Sequence, residues 1–363
     1  MIDILTKIVA MFNSQPDINK MGFLSSFFRV TPDSFTDAEF AEIDVVRSGE
    51  EVAPVVRDLN TGAVTIVDDK FVNHEIPFPV YALRKPALVA SLMKRRPGEN
   101  AYVTEHMNWL GRLARVLVEG FTKMTRMIRY SVELQAAQVL QTGKIILTDE
   151  KGNPAYELDL KPKTSHFPMA AVDWGQPGAD PYGDVAGVIE VVRDDGQVDV
   201  KHAIFDRLSW NNWIRDEFIQ ENMKQDGLGT GALAPALLGK GGVHMGHIFI
   251  GSYRVELWTY NGRYSDFGGS TVKKYLGDNT VILLPDIEDL DFRRLFGGIP
   301  TIRPNTDFDE LFGASKIEVS GEYDFRPRVF WDENQEAYIG EIKSRPLLWP
   351  VSIDRFACLK TGA

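Results

Sequence analysis

Between Thr104 and Thr142 the apolar residues Met107, Leu110, Ala114, Leu117, Phe121, Met124, Ile128 and Val132 recur at three- and four-residue steps, the period of one helix face. Gly143, directly after the run, supplies a stop. An unbroken helix over this span has about 39 residues and a length of roughly 58 Å, well above the globular mean. The rest of the chain must be laid along such a spine. Arg112, Arg115, Lys123, Arg126 and Arg129 follow an adjoining stripe, which reads either as a solvated face or as a basic face for phosphates or for carboxylates of another subunit.

A chain of 363 residues, 44% hydrophobic and 25% charged, has enough apolar surface for a sizeable core in one large domain or two to three modest ones, so disorder and coiled coil are excluded. Lys plus Arg number 40 against 51 Asp plus Glu, a formal charge of -11, which argues against a general nucleic-acid coat while leaving room for a local basic patch. The single cysteine, Cys358, allows no internal disulfide, and no paired-cysteine or Cys/His zinc pattern accompanies it, as expected of a chain assembled in a reducing compartment. Met1 to Phe12 is apolar but carries Asp3 and Lys7 and lacks a basic start and a small-residue cleavage site, so it does not read as a signal peptide. No run approaches the roughly 18 apolar residues of a membrane helix.

Ahead of the spine, Met1 to about Gly49 shows short apolar clusters, including Phe23, Leu24, Phe27 and Phe28, and no sustained strand pattern. It reads as an arm whose aromatic residues pack on the body or on a neighbouring chain. Val52 to Val67 alternates around Asn60-Thr61-Gly62, a hairpin signal that continues through Asp68, Asp69 and Lys70 to Ile76-Pro77-Phe78-Pro79-Val80, where two prolines favour extended backbone over a central strand. The expectation is a long projecting hairpin. After the spine, Lys144 to Leu160 reads as a second hairpin, and the Pro- and Gly-rich passage from Pro162 to Tyr182 as a domain boundary. Asp184 to His202 fits either a hairpin around Asp194-Asp195-Gly196 or a short helix capped by Asp184. Ser209 to about Lys224 is helical, Gly227 to Gly242 is a glycine-rich loop, and Ile248 to Tyr260 gives strands closing on Asn261-Gly262. Thr280 to Leu284 is a buried strand, and strand-like pieces return from Arg328 to Leu359.

Candidate chemistry is sparse. Gly239-Lys240-Gly241-Gly242 has Ala234 where a phosphate loop needs its first glycine and Gly241 where it needs a magnesium-holding hydroxyl, so it reads as a plain loop. His244 and His247, with His202 or an aspartate completing a set, are candidate metal ligands, though histidines on a loop suffice to account for them. Asp286, Glu288, Asp289 and Asp291 read as a solvated turn, and Cys358 as an inert buried thiol. No nucleophile elbow is present.

Short matches run in one order along the chain: Phe27-Phe28-Arg29; Trp174 followed by Asp180-Pro181 and Asp184-Val185; Phe205-Asp206 with Trp210; Leu276-x-Asp278-Asn279-Thr280; Ser344-x-Pro346-Leu347; and Asp354-x-Phe356. In this set and in layout the chain resembles the lambda-type major capsid proteins of tailed bacteriophages, the capsid protein E family. The resemblance implies an α+β, Hong Kong 97-like capsid fold. Its parts would be an N-terminal arm over 1–49, an extended hairpin loop over 50–85, a peripheral domain over 86–165 with the spine helix, an axial domain over 166–305, and a returning peripheral part over 306–363. It implies that Asp184 caps a helix, that Lys144 to Leu160 and Arg328 to Leu359 form the peripheral sheet, and that Gly227 to Gly242 lies on an axial loop.

Under the same resemblance the chain is a non-enzymatic major capsid protein without cofactors. It would self-assemble into the pentamers and hexamers of an icosahedral shell around double-stranded DNA, in the virion, after assembly in the host bacterial cytoplasm. Its partners would be further copies of itself, portal, scaffold and decoration proteins, and DNA without sequence-specific contact, with no membrane. Residues expected at intersubunit contacts are Phe27, Phe28 and Arg29 on the arm, Arg57, Asp58, Asp69 and Lys70 on the hairpin, and Arg126 and Arg129 on the spine. Asp68 and Asp69 beside Lys70 favour a charged, unreactive ammonium, so the shell is expected to be held without covalent links. Two rival readings are the shell of a cellular nanocompartment of the same fold and a metal-dependent hydrolase using His202, His244 and His247.

Overall fold

The computed structural model describes residues 22–36, 38, 40–45, 72–88, 109–225, 236–238, 241–269, 271–302, 317–319 and 325–362. Helix α1 runs from Trp109 to Thr142, 34 residues; Thr104 to Asn108 lie outside the described part. Leu117, Phe121, Met124, Ile128 and Val132 of the expected stripe are buried, joined by Ala136, Val139 and Leu140. The helix stops at Gly143, whose φ is +64° and whose N–H bonds to the Val139 carbonyl at 2.8 Å. A Cβ at this position would lie 2.5 Å from Pro162 Cγ, so conformation and space both call for glycine.

Three glutamines spaced three apart tie α1 to its surroundings. Gln135 donates to the Pro346 carbonyl and accepts from the Leu348 N–H, both at 3.3 Å. Gln138 does the same with the carbonyl and N–H of Ile146, at 2.8 and 2.9 Å. Gln141 donates to Tyr275 O and accepts from Gly277 N–H, both at 2.8 Å. A primary amide carries the donor and acceptor of a peptide unit, so each side chain stands in for a missing strand neighbour and satisfies backbone that would otherwise be orphaned.

A six-stranded sheet has the order Ala357–Lys360, Thr280–Pro285, Val200–Phe205, Tyr253–Tyr260, Gly242–Ile250, Ala236–Leu238. Val281, Leu283, Ala203 and Phe205 pack in one core with helices α2 (Pro181–Gly196), α3 (Arg207–Trp213) and α4 (Glu217–Gln225), while Ile282, Leu284, Ile204 and Cys358 belong to the core of α1. Burial on both faces is why Thr280 to Leu284 reads as a continuous apolar run. The last strand of the chain thus stitches the two cores together.

The stretch that fits either hairpin or helix is α2, and its cap is Asp180 instead of Asp184. Pro181 occupies the first helical position, and the Asp180 carboxylate accepts from the Gly183 N–H at 2.9 Å. Asp184, one turn in, accepts from Trp174 Nε1–H at 2.9 Å. The helix expected over Ser209 to Lys224 is divided into α3 and α4, because Asp206 caps the first through the N–H groups of Leu208 and Ser209 and Asp216 accepts from the Ile219 N–H.

Against α1 lies a three-stranded antiparallel sheet with Ala337–Ser344 between Tyr81–Ala87 and Arg326–Asp332. Gly340 permits the approach, since a Cβ there would meet Phe121 at 3.2 Å. The expected peripheral sheet is not a single sheet. Among the described residues Lys144–Thr148 and Pro154–Asp159 pair only with each other, and Pro346–Pro350 joins Phe292–Gly297 and Phe35–Thr36, while Ala357–Lys360 belongs to the six-stranded sheet. Prolines at both ends of Pro346–Pro350 lack the N–H that would prolong either ladder, so the tail changes sheet twice.

The arm also differs from expectation. Phe40–Val45 is a strand, antiparallel to Val72–Pro77; its partner lies beyond segment 46–71, so no local turn signal marks the pair. Pro77 ends the second strand, in keeping with its missing donor. Ala236–Leu238 is an edge strand where a glycine-rich loop was expected, pairing with Gly242–His244. Residues 226–235, and the hairpin expected over Val52 to Val67, lie outside the described part.

Candidate functional site

His202, His244 and His247 sit on neighbouring strands of the six-stranded sheet and not on a loop, flanking the Tyr253–Tyr260 strand. Glu256 Oε2 lies 3.9 Å from His202 Nδ1 and 3.8 Å from His244 Nε2. His202 Nδ1 accepts from Trp258 Nε1–H at 3.2 Å, the His244 ring packs at 4.6 Å from Trp258, and the His247 ring meets Phe249 edge-on. Burial outweighs the nearby carboxylates and pulls the His202 imidazole below its ordinary pKa. Among the described residues no three His, Cys, Asp or Glu side chains come together as a metal would need. The three histidines do not converge on one another as a metal site; His202 packs beneath the arm, where Phe27 lies 6.0 Å from its ring, while His244 and His247 pack on Trp258 and Phe249.

Phe27 and Phe28, expected at a subunit contact, are 5% and 1% exposed within their own chain. Phe28 stacks on Phe292 at 4.9 Å, and Phe23 on Tyr260 at 5.3 Å. What holds the arm is Glu133, in the middle of α1 and only 2% exposed. Its Oε1 accepts from Leu24 N–H and Tyr260 O–H, both at 2.8 Å, and its Oε2 from Ser25 N–H at 2.9 Å. Phe23, Phe27 and Phe28 are therefore packed within their own chain, while Phe35 and Phe40 of the arm stay exposed. Arg29 keeps an exposed side chain while its backbone bridges Phe292 and Arg294. Arg126 is exposed on α1; the Arg129 guanidinium covers the Phe325 ring at 4.7 Å. Arg57, Asp58, Asp69 and Lys70 lie outside the described residues.

The short matches that run along the chain converge on backbone fastening. Asp206, 2% exposed, caps α3 and also accepts from the Thr280 N–H at 3.2 Å. Ser209 and Thr361 share a hydroxyl contact at 2.9 Å, Thr361 N–H reaches the Asn279 carbonyl, and Trp174 N–H the Thr361 carbonyl. Asp206, Ser209 and Thr361 act here through their side chains, so these residue types are set by donors and acceptors the fold must satisfy, while the other contacts are main-chain. In the acidic turn, Asp286 pairs with Lys201, which holds its carboxyl below the ordinary range, and Asp291 pairs with Arg293 at 3.3 Å. Cys358 is fully buried, and desolvation pushes its thiol up to about 12. No helix among the described residues is long and apolar enough to cross a membrane.

The family model described as phage major capsid protein E matches residues 5–359. Among solved structures, a proposed capsid protein of a prophage of E. coli CFT073 superposes with a TM-score of 0.63 at 16% identity, covering 98% of each chain. A phage-related protein from Bordetella bronchiseptica RB50 superposes with a TM-score of 0.50 at 13% identity, covering 98% of this chain and 96% of its own. At such identities the likeness is one of fold. No individual curated protein matches the chain at a significant level.

Proposed function

Because the chain belongs to the phage major capsid protein E family and has the Hong Kong 97-like fold of phage capsid proteins, it is a shell-forming structural protein, and we propose that its copies gather into pentamers and hexamers that close around double-stranded DNA. The family match over residues 5–359 carries this reading. On it, 166–305 is the axial domain, 86–165 and 306–363 are the peripheral domain, and the loop laid on a neighbour comes from 50–85, whose last strand, Tyr81–Ala87, returns to the sheet on α1, with Ala357–Lys360 crossing into the axial sheet. Portal, scaffold and decoration proteins are the further partners, and the host bacterial cytoplasm is the place of assembly. The exposed Arg29 and Arg126 remain contact candidates. Negative-stain electron microscopy of the expressed chain, alone and with its scaffold, is expected to show rings or closed shells; a strictly monomeric species at high concentration with scaffold present would overturn the reading.

Cys358 bears on how that shell is held. A thiol with no solvent access and a pKa near 12 is neither nucleophilic nor able to reach another chain. Native protein at pH 8 is expected to give no reaction with an aromatic disulfide reagent until unfolded, and particles boiled without reductant to run as one band near 40.8 kDa. A ladder of multimers is the contrary result.

A further inference from the structure

We propose that the three-stranded sheet on α1 carries both halves of a head-to-tail contact between copies: a cationic row formed by Arg84, Arg328 and Lys343 receives the acidic hairpin tip, Glu333 and Glu336, of a second copy. This rests on the shell reading and names one of its surfaces.

The row is built around one acid. Glu341, on the central strand, stands directly opposite Arg84 on one side and Arg328 on the other. Its carboxylate lies 2.8 Å from Arg84 Nε, 3.2 Å from Lys343 Nζ and 3.9 Å from Arg328 Nε. The acid side chain is 0% exposed, whereas those of Arg84, Arg328 and Lys343 are 62%, 47% and 35% exposed. Three cations share one anion lying beneath them, so the outward face keeps a surplus of two positive charges. Burial opposes ionisation of Glu341, yet Lys343, Arg328 and Arg84 together hold its carboxyl below the ordinary range. Phe330 orders the row from within the sheet, with the guanidiniums of Arg328 and Arg84 at 4.8 and 5.8 Å from its ring. The result is a preorganised anion receptor.

The opposite charge sits at the far end of the same sheet. Glu333 and Glu336 are exposed on the turn joining Arg326–Asp332 to Ala337–Ser344, and Asp332 is engaged by the Asn334 N–H at 2.9 Å. Among the described residues no cation lies within ion-pair distance of Glu333 or Glu336. From Arg328 to Glu333 is five residues of extended chain, about 16 Å, beyond the screening length of roughly 8 Å at physiological salt. A rigid sheet cannot fold its acidic end onto its basic end. A second copy can supply each end with its complement, and such a heterologous contact closes into a ring when the rotation between copies allows. Copies of net charge -11 repel in general, so a local attraction of this kind sets register. Exposed ion pairs alone are weak. Trp331, 50% exposed beside the tip and packed at 5.0 Å on Tyr338, adds the apolar area that such a contact needs.

The test is a charge-reversal cycle in the full-length chain, read by sedimentation and electron microscopy of particles. Glu333→Lys with Glu336→Lys is expected to cut particle yield by roughly tenfold, as is Arg328→Glu with Lys343→Glu, which leaves Arg84 to hold Glu341; the four changes together restore assembly. Circular dichroism checks each subunit, and should the row variant fail to fold, Arg328→Gln takes its place and must itself weaken assembly. A tip variant that assembles like the parent, or a combined variant no better than the worse single pair, overturns the surface. A row variant that assembles normally but loses affinity for a duplex oligonucleotide assigns the row to phosphates and overturns it too. If the parent chain forms no particles even with its scaffold present, the shell reading fails instead.

Discussion

Ala136→Pro is expected to leave the chain unable to reach its folded state. Proline removes the N–H that bonds to the carbonyl four residues back and drives its ring into that carbonyl, at a cost of about 3 kcal/mol or more. Ala136 is 0% exposed with Val132, Val139 and Leu140 buried around it, so the helix has no room to bend there. A kink at this point also moves Gln135 and Gln138, whose amides satisfy backbone groups of Leu348, Pro346 and Ile146. The groups of Leu348 and Pro346 are buried, and such groups left unpaired cost about 1–3 kcal/mol each. The sum is comparable with the whole stability of an ordinary domain, about 5–15 kcal/mol. Expression yield and far-ultraviolet circular dichroism check the outcome. Leu117→Pro is expected to cost less, because Gly111 and Arg115 before it are exposed and the first turns can fray. A soluble Ala136→Pro protein with the parent's melting temperature would show that α1 does not organise the fold.

What the sequence makes legible, and what it hides, follows from how each contact is made. The apolar stripe of α1 is local and periodic, so Leu117 to Val132 and the stop at Gly143 stand out. The glutamines do not, because a polar residue at helical spacing looks like a solvated face until the segment it fastens is in place. The Phe40–Val45 strand is hidden for the same reason, its partner being distant in the chain. Asp180 and Asp184 compete for one cap, and the decision turns on Pro181, whose fixed φ places the helix start just after Asp180. Family membership was legible from short ordered matches, and the structure gives their physical content: Asp206, Trp174 and Thr280 are fastenings of backbone and helix ends, not reacting groups. The packing of the arm within its own chain was not legible. Phe27 and Phe28 look like exposed aromatics on an arm, but Glu133, far along the chain, holds that arm down. Arg84, Arg328 and Glu341 become one unit only through strand register.

Glu133→Ala is the second change with a large expected effect, and it tests the join between arm, helix and six-stranded sheet. The carboxylate serves two consecutive N–H groups of the arm and the Tyr260 hydroxyl, so alanine leaves three buried donors without an acceptor. The phenol cannot compensate by ionising, since its burial, which the variant keeps, holds it far up in its protonated form. Gly22 is fitted to the same carboxylate, with no room for a Cβ beside Glu133 Oε2. A loss of about 3 kcal/mol or more follows from three orphaned donors, and it falls on the contact with least covalent support, the arm. The variant is therefore expected to melt several degrees lower and to become open to protease between Phe23 and Phe28, where the parent resists. Glu133→Gln keeps one acceptor oxygen but turns an amide NH2 toward a donor, so its loss should fall between the two. An alanine variant with unchanged melting and a protected arm would mean that the aromatic packing of Phe23 and Phe28 on Tyr260 and Phe292 holds the arm without the carboxylate.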